Sequence, residues 1–343
     1  MKIEIIVNNN LIILYSNKFK VNLIFLIILL NLNKNNLKKN KEIHHTYLID
    51  DFRFITCYLG VDHIKSDSRI RKYFDVLDKF VPYANVVFCV SKYTKIDPSI
   101  INHKNIKINI ERFGNETKKD ILNKYQFSDF YFNGIRYDFY VQYLKKHPKI
   151  KYVVISDDDM LFFRDPFPLI AKDPTVVHFM EDIFPFSNTR DGNYIWINAW
   201  NSLKKKKKKK CGFKKWNKTF SFDEFKNLIP LNCGLMIGSS KNIIKIAGFI
   251  YNSFICPGMF NNNAEQGLLN YLDISGELKE LGIPIKRHNI YNGSFISCPD
   301  LLPIEDYIQQ LYSEHFIAIH HYQLLNKKYI KRSPKEFKLY LKK

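Results

Sequence analysis

The chain has 343 residues, 46% of them hydrophobic and 15% aromatic, which is apolar material for one large or two abutting domains and excludes a disordered tail. Its formal charge of +20 sits on a charged fraction of 25%, the ordinary globular share. Seven of the surplus charges form one lysine run at 204–210, so a nucleic-acid-binding function loses its main support.

Residues 1–44 read as a targeting segment and linker. The stretch 21–32 (VNLIFLIILLNL) is apolar apart from two asparagines, with Lys18 and Lys20 before it and Lys34, Lys38 and Lys39 after it. A spanning helix needs roughly 20 apolar residues, so this shorter core suits a signal peptide or a short type II signal-anchor at the membrane. A buried terminal strand or helix is the structural alternative. The expected location is the secretory pathway, in the lumen of the endoplasmic reticulum or Golgi. Sequons at Asn115, Asn217 and Asn292 fit that route, although a chain so rich in asparagine produces some by chance. The folded domain is expected over 45–343.

Within it, 52–61 (FRFITCYLGV) and 85–90 (NVVFCV) read as buried strands. Between them Ile70, Phe74, Leu77 and Val81 recur at helical spacing. A third strand is predicted at 106–110, a longer helix over 131–145 with Ile135, Phe139 and Leu144 on one face, and a further strand at 151–156 (KYVVIS). This alternation predicts an α/β architecture, a mixed, mostly parallel sheet flanked by helices. Such sheets bind ligands at the carboxyl ends of their strands. The lysine-rich 203–218 interrupts the pattern as a solvated low-complexity loop; Trp196, Trp200 and Trp216 flank it as core or sugar-stacking rings. Cys57, Cys89, Cys211, Cys233, Cys256 and Cys298 are scattered singly, without the spacing of a zinc site.

Chemistry concentrates where the 151–156 strand stops. Asp157, Asp158 and Asp159 follow an apolar run directly and precede another, Met160 to Phe163. Adjacent like charges that also lose water need an offsetting cation. In an extended segment Asp157 and Asp159 would share a face and could address one Mn²⁺ or Mg²⁺, with Asp158 pointing elsewhere. Asp165 and Pro166 look like the cap and first turn of a helix.

The run 155–167 (ISDDDMLFFRDPF) resembles the DxD block of GT-A glycosyltransferases, and 231–238 (LNCGLMIG), 263–270 (NAEQGLLN) and 318–322 (AIHHY) follow in the order that superfamily uses. The resemblance covers residues 50–325. It implies a Rossmann-like GT-A fold and a hexosyl- or pentosyltransferase that uses a nucleotide-sugar donor, UDP- or GDP-linked, and a glycan or glycoprotein acceptor. Asp157, Asp159 and His320 would hold the metal, with His321 the close second choice. Arg136, Asp158, Asn232, Gly234 and Lys327 would address the donor, Gly234 by letting the backbone approach its sugar. Glu265 and Gln266 would face the reacting sugar as acceptor base or hydroxyl ligand. For Lys327 the glycine that accompanies such a lysine in the glycogenin-like branch is absent. Two other functions compete. A nucleotidyltransferase making nucleotide-sugars would want a Gly-rich basic loop after the first strand, which Leu59-Gly60-Val61-Asp62 does not supply. A basic protein binding anionic surfaces would be salt-sensitive and indifferent to chelators.

Overall fold

A computed structural model describes residues 5–8, 11–14, 51–58, 63–65, 68–114, 128–188, 219–254, 264–289 and 294–341. The 21–32 segment, the three sequons, Cys211, Cys256, the 203–218 loop, the three tryptophans and residues 59–62 lie outside them. Among the described residues no helix is long and apolar enough to cross a membrane. The chain divides into two units, 1–50 and 51–343. In the first, β1 (Ile5–Asn8) and β2 (Leu11–Leu14) form an antiparallel hairpin with Ile5 opposite Leu14.

The second unit is built on a seven-stranded sheet. Its strands are β3 (Phe52–Tyr58), β4 (Asn85–Ser91), β5 (Lys107–Phe113), β6 (Tyr152–Ser156), β8 (Val177–Glu181), β9 (Leu231–Ser239) and β10 (Ile285–His288), and they lie in the order β10-β8-β9-β6-β3-β4-β5. All neighbours pair parallel except β9, which runs antiparallel to both β6 and β8. The sheet is therefore mixed and mostly parallel, and helices flank it. The interior strands β4 and β6 are near-continuous apolar runs because helices cover both faces. The edge strand β5 is half-exposed along its length, and it continues through Glu111 and Arg112, which pair with Cys89 and Val90. Pairing along the edge thus carries a strand past charged residues where propensity alone would end it.

Helix α1 (Arg69–Phe80) buries Ile70, Tyr73, Phe74, Val76 and Leu77, the stripe its periodicity requires. Helix α2 (Ser128–Lys146) begins three residues earlier than its pattern suggests. It packs with α5 (Ser240–Phe254) and α6 (Ala264–Ile274) on a core that includes Tyr137, Tyr140, Ile246, Ile250, Leu268 and Leu272. Helix α3 (Phe167–Lys172) starts where Asp165 accepts the Phe167 N–H at 2.8 Å, with Pro166 ahead of its first turn; α4 (Phe222–Phe225) and α7 (Glu277–Glu280) are single turns.

A second core joins Val76, Leu161, Phe163, Phe316, Ile319, Phe337 and Leu341. It surrounds a small sheet of β7 (Leu161–Phe162), β11 (Phe295–Ile296) and β12 (Ala318–Ile319), with β12 in the centre, parallel to β11 and antiparallel to β7. Helices α8 (Ile304–Tyr312), α9 (Lys327–Arg332) and α10 (Lys335–Leu341) complete the chain. This sheet takes the residues after the aspartates and brings the carboxyl-terminal part of the chain alongside them.

Candidate metal centre

Two strand registers assemble the site. In the first, β6 pairs with β9 so that Ser156 lies opposite Leu235. The next residue, Asp157, then faces Gly234 and donates its N–H to the Gly234 carbonyl at 2.9 Å. In the second, β12 pairs with β7 so that Ile319 lies opposite Leu161. Beyond Ile319 the chain can only run past the aspartates, which delivers His320 and His321 beside them. The aspartates do not continue the strand as the sequence pattern suggested. They form a turn, in which the Met160 N–H reaches the Asp157 carbonyl at 3.2 Å. Alternation along an extended chain is thus not what orients them. Below the turn, Tyr73 and Ser156 share a buried hydroxyl–hydroxyl hydrogen bond of 2.9 Å.

Each carboxylate has its own company. Asp159 is buried, with Oδ1 2.9 Å from His320 Nε2, while its Oδ2 takes His321 Nδ1 at 3.0 Å and the Gln323 side-chain amide at 2.8 Å. Asp157 accepts from Arg136 through Oδ1, and its Oδ2 lies 3.6 Å from His320 Nε2. Asp158 turns away to Arg69, 3.3 Å from Oδ1. His321 has φ of 52°, the one positive value at a non-glycine among the described residues. Holding that conformation costs on the order of 1–3 kcal/mol, and it folds the His321 ring back over His320, with centroids 3.7 Å apart.

Burial and charge then pull in opposite directions. Burial alone would raise every carboxyl here. For Asp159 the two imidazoles outweigh it and hold the carboxyl well below its usual value, and for Asp157, Arg136 and His320 do the same more weakly. Asp158 stays dominated by burial despite Arg69 and is pushed up to about 6. Burial would lower His320, but Asp159 and Asp157 drive it up to about 10. The expected need for an offsetting cation is therefore met in part by the protein itself. Three carboxylates face Arg69, Arg136 and a protonated His320.

The fold treats the sequence-predicted residues unequally. Asp159 and His320 meet, and with His321 they form a cluster whose donor atoms lie within 4.8 Å of one another and could hold a metal ion. Asp157 lies at its margin, engaged by Arg136. Arg136, expected to address a donor, is buried against Asp157 and Cys233, and Asp157 holds its guanidinium firmly protonated against the cost of burial. Gly234 does admit a close approach, but the group that approaches it is His320: a Cβ there would lie 2.6 Å from Cε1 and 2.8 Å from Nε2. Asn232 holds that backbone in place, accepting the Gly234 N–H at 2.8 Å and donating to Asp182 at 2.7 Å. Gln266 donates to the other Asp182 oxygen at 3.0 Å. Glu265 sits buried in the first turn of α6, its carboxyl raised by burial against the pull of Arg136. Lys327 stands exposed on the first turn of α9 and joins none of these ion pairs.

Three further residues belong to the site: Arg69, Asp182 and Gln323. A trace of Arg69 was legible, since α1 opens on Arg69 and Arg71 with no acid in its first turn, against the preference of a helix amino terminus for negative charge. Asp182 and Gln323 left none, because their partners lie 50 or more residues away.

Does this donor set suit a divalent ion? Carboxylate oxygen and imidazole nitrogen together suit Mn²⁺ and its neighbours. Neither ring nitrogen of the buried His320 makes an aligned hydrogen bond, although Nε2 lies 2.9 Å from Asp159. A nitrogen so placed can serve as a ligand once its proton leaves. The residues therefore fit the group.

No family model matches the sequence, and no curated protein matches it. Among solved structures the chain is similar to a crystal structure of a glycosyltransferase involved in the glycosylation of the major capsid of PBCV-1, with a TM-score of 0.41 at 10% identity, covering 82% of this chain and 96% of that one.

Proposed function

We propose that this chain is a metal-dependent glycosyltransferase that moves a sugar from a UDP- or GDP-linked donor to a glycan or glycoprotein acceptor in the secretory pathway. The observation that carries this reading is the Asp159, His320 and His321 cluster, set just beyond the carboxyl end of β6, where open parallel sheets take their ligands. The ion, Mn²⁺ or Mg²⁺, would bind the donor's phosphates and stabilise the departing nucleoside diphosphate.

The chain's own residues do the rest. Asp159 and the imidazoles present the donor atoms, and Gly234 leaves the space that His320 occupies. Arg136 keeps Asp157 ionised and oriented. Glu265, a buried carboxyl with a raised proton affinity, suits an acceptor base or a sugar-hydroxyl ligand. Gln266 and Asn232 share Asp182 and so fix α6 against β9 beside the centre.

A panel of nucleotide-sugars with Mn²⁺, scored for released diphosphate, tests the proposal. Turnover disappears with EDTA and returns with Mn²⁺, and Asp159→Asn lowers it by about 100-fold or more. Equal turnover by wild type and Asp159→Asn would end this reading. Glu265→Gln impairs transfer more than donor binding; an unchanged rate would leave Glu265 a capping charge.

A further inference from the structure

The cations around the aspartate turn are held in different ways. Arg136 and His320 are buried, with 9% and 2% of their surface exposed. Neither can leave without abandoning a carboxylate in a water-poor site. Arg69 is the contrast: half of its side chain, 51%, is in solvent. It reaches Asp158 at 3.3 Å and Asp159 only at 3.9 Å, beyond hydrogen-bond range. Nothing in its own helix explains a cation at this position, where the macrodipole disfavours one. The aspartates do explain it, since Asp158 is the main influence keeping Arg69 protonated, with Asp159 and Asp157 adding to it.

A divalent ion brought to Asp159 would meet this guanidinium as a like charge, since Arg69 lies 3.9 Å from that carboxylate. The ion and Arg69 repel, and Arg69 is the partner free to swing into water. The diphosphate arriving with the ion is the next anion within its reach, and a guanidinium matches phosphate oxygens in a two-pronged fashion.

We propose that Arg69 is an exchangeable counter-ion: it covers Asp158 and Asp159 while the centre lacks a divalent cation, yields when one binds, and then engages the diphosphate of the donor. This rests on the metal-centre reading above.

The test uses the full chain and the variants Arg69→Met, Arg69→Lys and Asp159→Asn. Mn²⁺ is titrated without nucleotide and followed by the electron-spin-resonance signal of the free ion; UDP and GDP are then titrated calorimetrically at saturating Mn²⁺. Removing one charge at this range makes Arg69→Met bind Mn²⁺ about tenfold more tightly than wild type. The same variant binds the nucleoside diphosphate about tenfold more weakly, and Arg69→Lys falls between it and wild type on both measures. Unchanged or weaker Mn²⁺ binding by Arg69→Met overturns the counter-ion role. Unchanged nucleotide binding overturns the transfer of the guanidinium to the diphosphate. If wild type and Arg69→Met both fail to bind Mn²⁺, or binding survives Asp159→Asn, the metal-centre reading falls and the inference with it.

Discussion

His320 and the His178–His288 pair are equally buried, at 2% exposure each, and lie at opposite extremes of proton affinity. His320 is pushed up to about 10, because Asp159 and Asp157 outweigh its burial. His178 and His288 face each other across β8 and β10 with Nδ1 and Nε2 2.9 Å apart. One ring must donate to the other, so at least one is neutral. Burial, Lys286 and the neighbouring imidazole depress them to about 4 and 3, and only Asp173 and the Leu169 backbone pull His178 the other way. Loss of water therefore does not decide a histidine's charge. What replaces the water decides it.

The contrast is most directly broken with acid. The pair's proton affinities are lower in the folded chain than in the unfolded one, so its contribution is whole above about pH 6.5 and is lost progressively as the pH falls from there towards about 4 and 3. The loss is on the order of 3 kcal/mol for each ring. Urea unfolding at pH 7 and pH 4.5 measures it, and His178→Gln, which keeps an amide where the imidazole was, flattens the dependence. A variant as acid-sensitive as wild type would show that the pair is not the cause.

His288→Glu sharpens the comparison by giving His178 the company that His320 has. The His178 ring should then titrate above 6.5 by NMR, and its contribution to stability should be present at low pH and disappear as the pH rises. Next in size is Gly234→Ala, whose Cβ displaces the His320 ring. It costs about 1–3 kcal/mol in a thermal melt and weakens Mn²⁺ binding about tenfold. The smallest effect belongs to Tyr73→Phe, which removes the hydroxyl bond to Ser156 beneath the turn. About 1 kcal/mol of stability is lost, and Mn²⁺ affinity is unaltered.

Much of the fold was legible because its signals are local. The apolar runs of β3, β4 and β6 and the stripe on α1 announce themselves within a dozen residues. The aspartate triplet and the double histidine were conspicuous for the same reason. What composition and spacing could not supply was the register that joins them: β12 and β7 are only two residues long, and nothing in Ala318–Ile319 says which strand it will pair with. The intramolecular partners of Arg136 and Gly234 were hidden for that reason. The resemblance pairs each with an external donor, and the structure adds a contact within the chain, Asp157 for Arg136 and His320 for Gly234.

The two-residue β12 also sets a schedule. The histidines that follow it are made 162 residues after the aspartate they meet, counted from Asp159 to His321. Until that later stretch has been made and β12 has paired with β7, the aspartates stand without their imidazole partners, so the cluster is assembled by folding and not by local sequence.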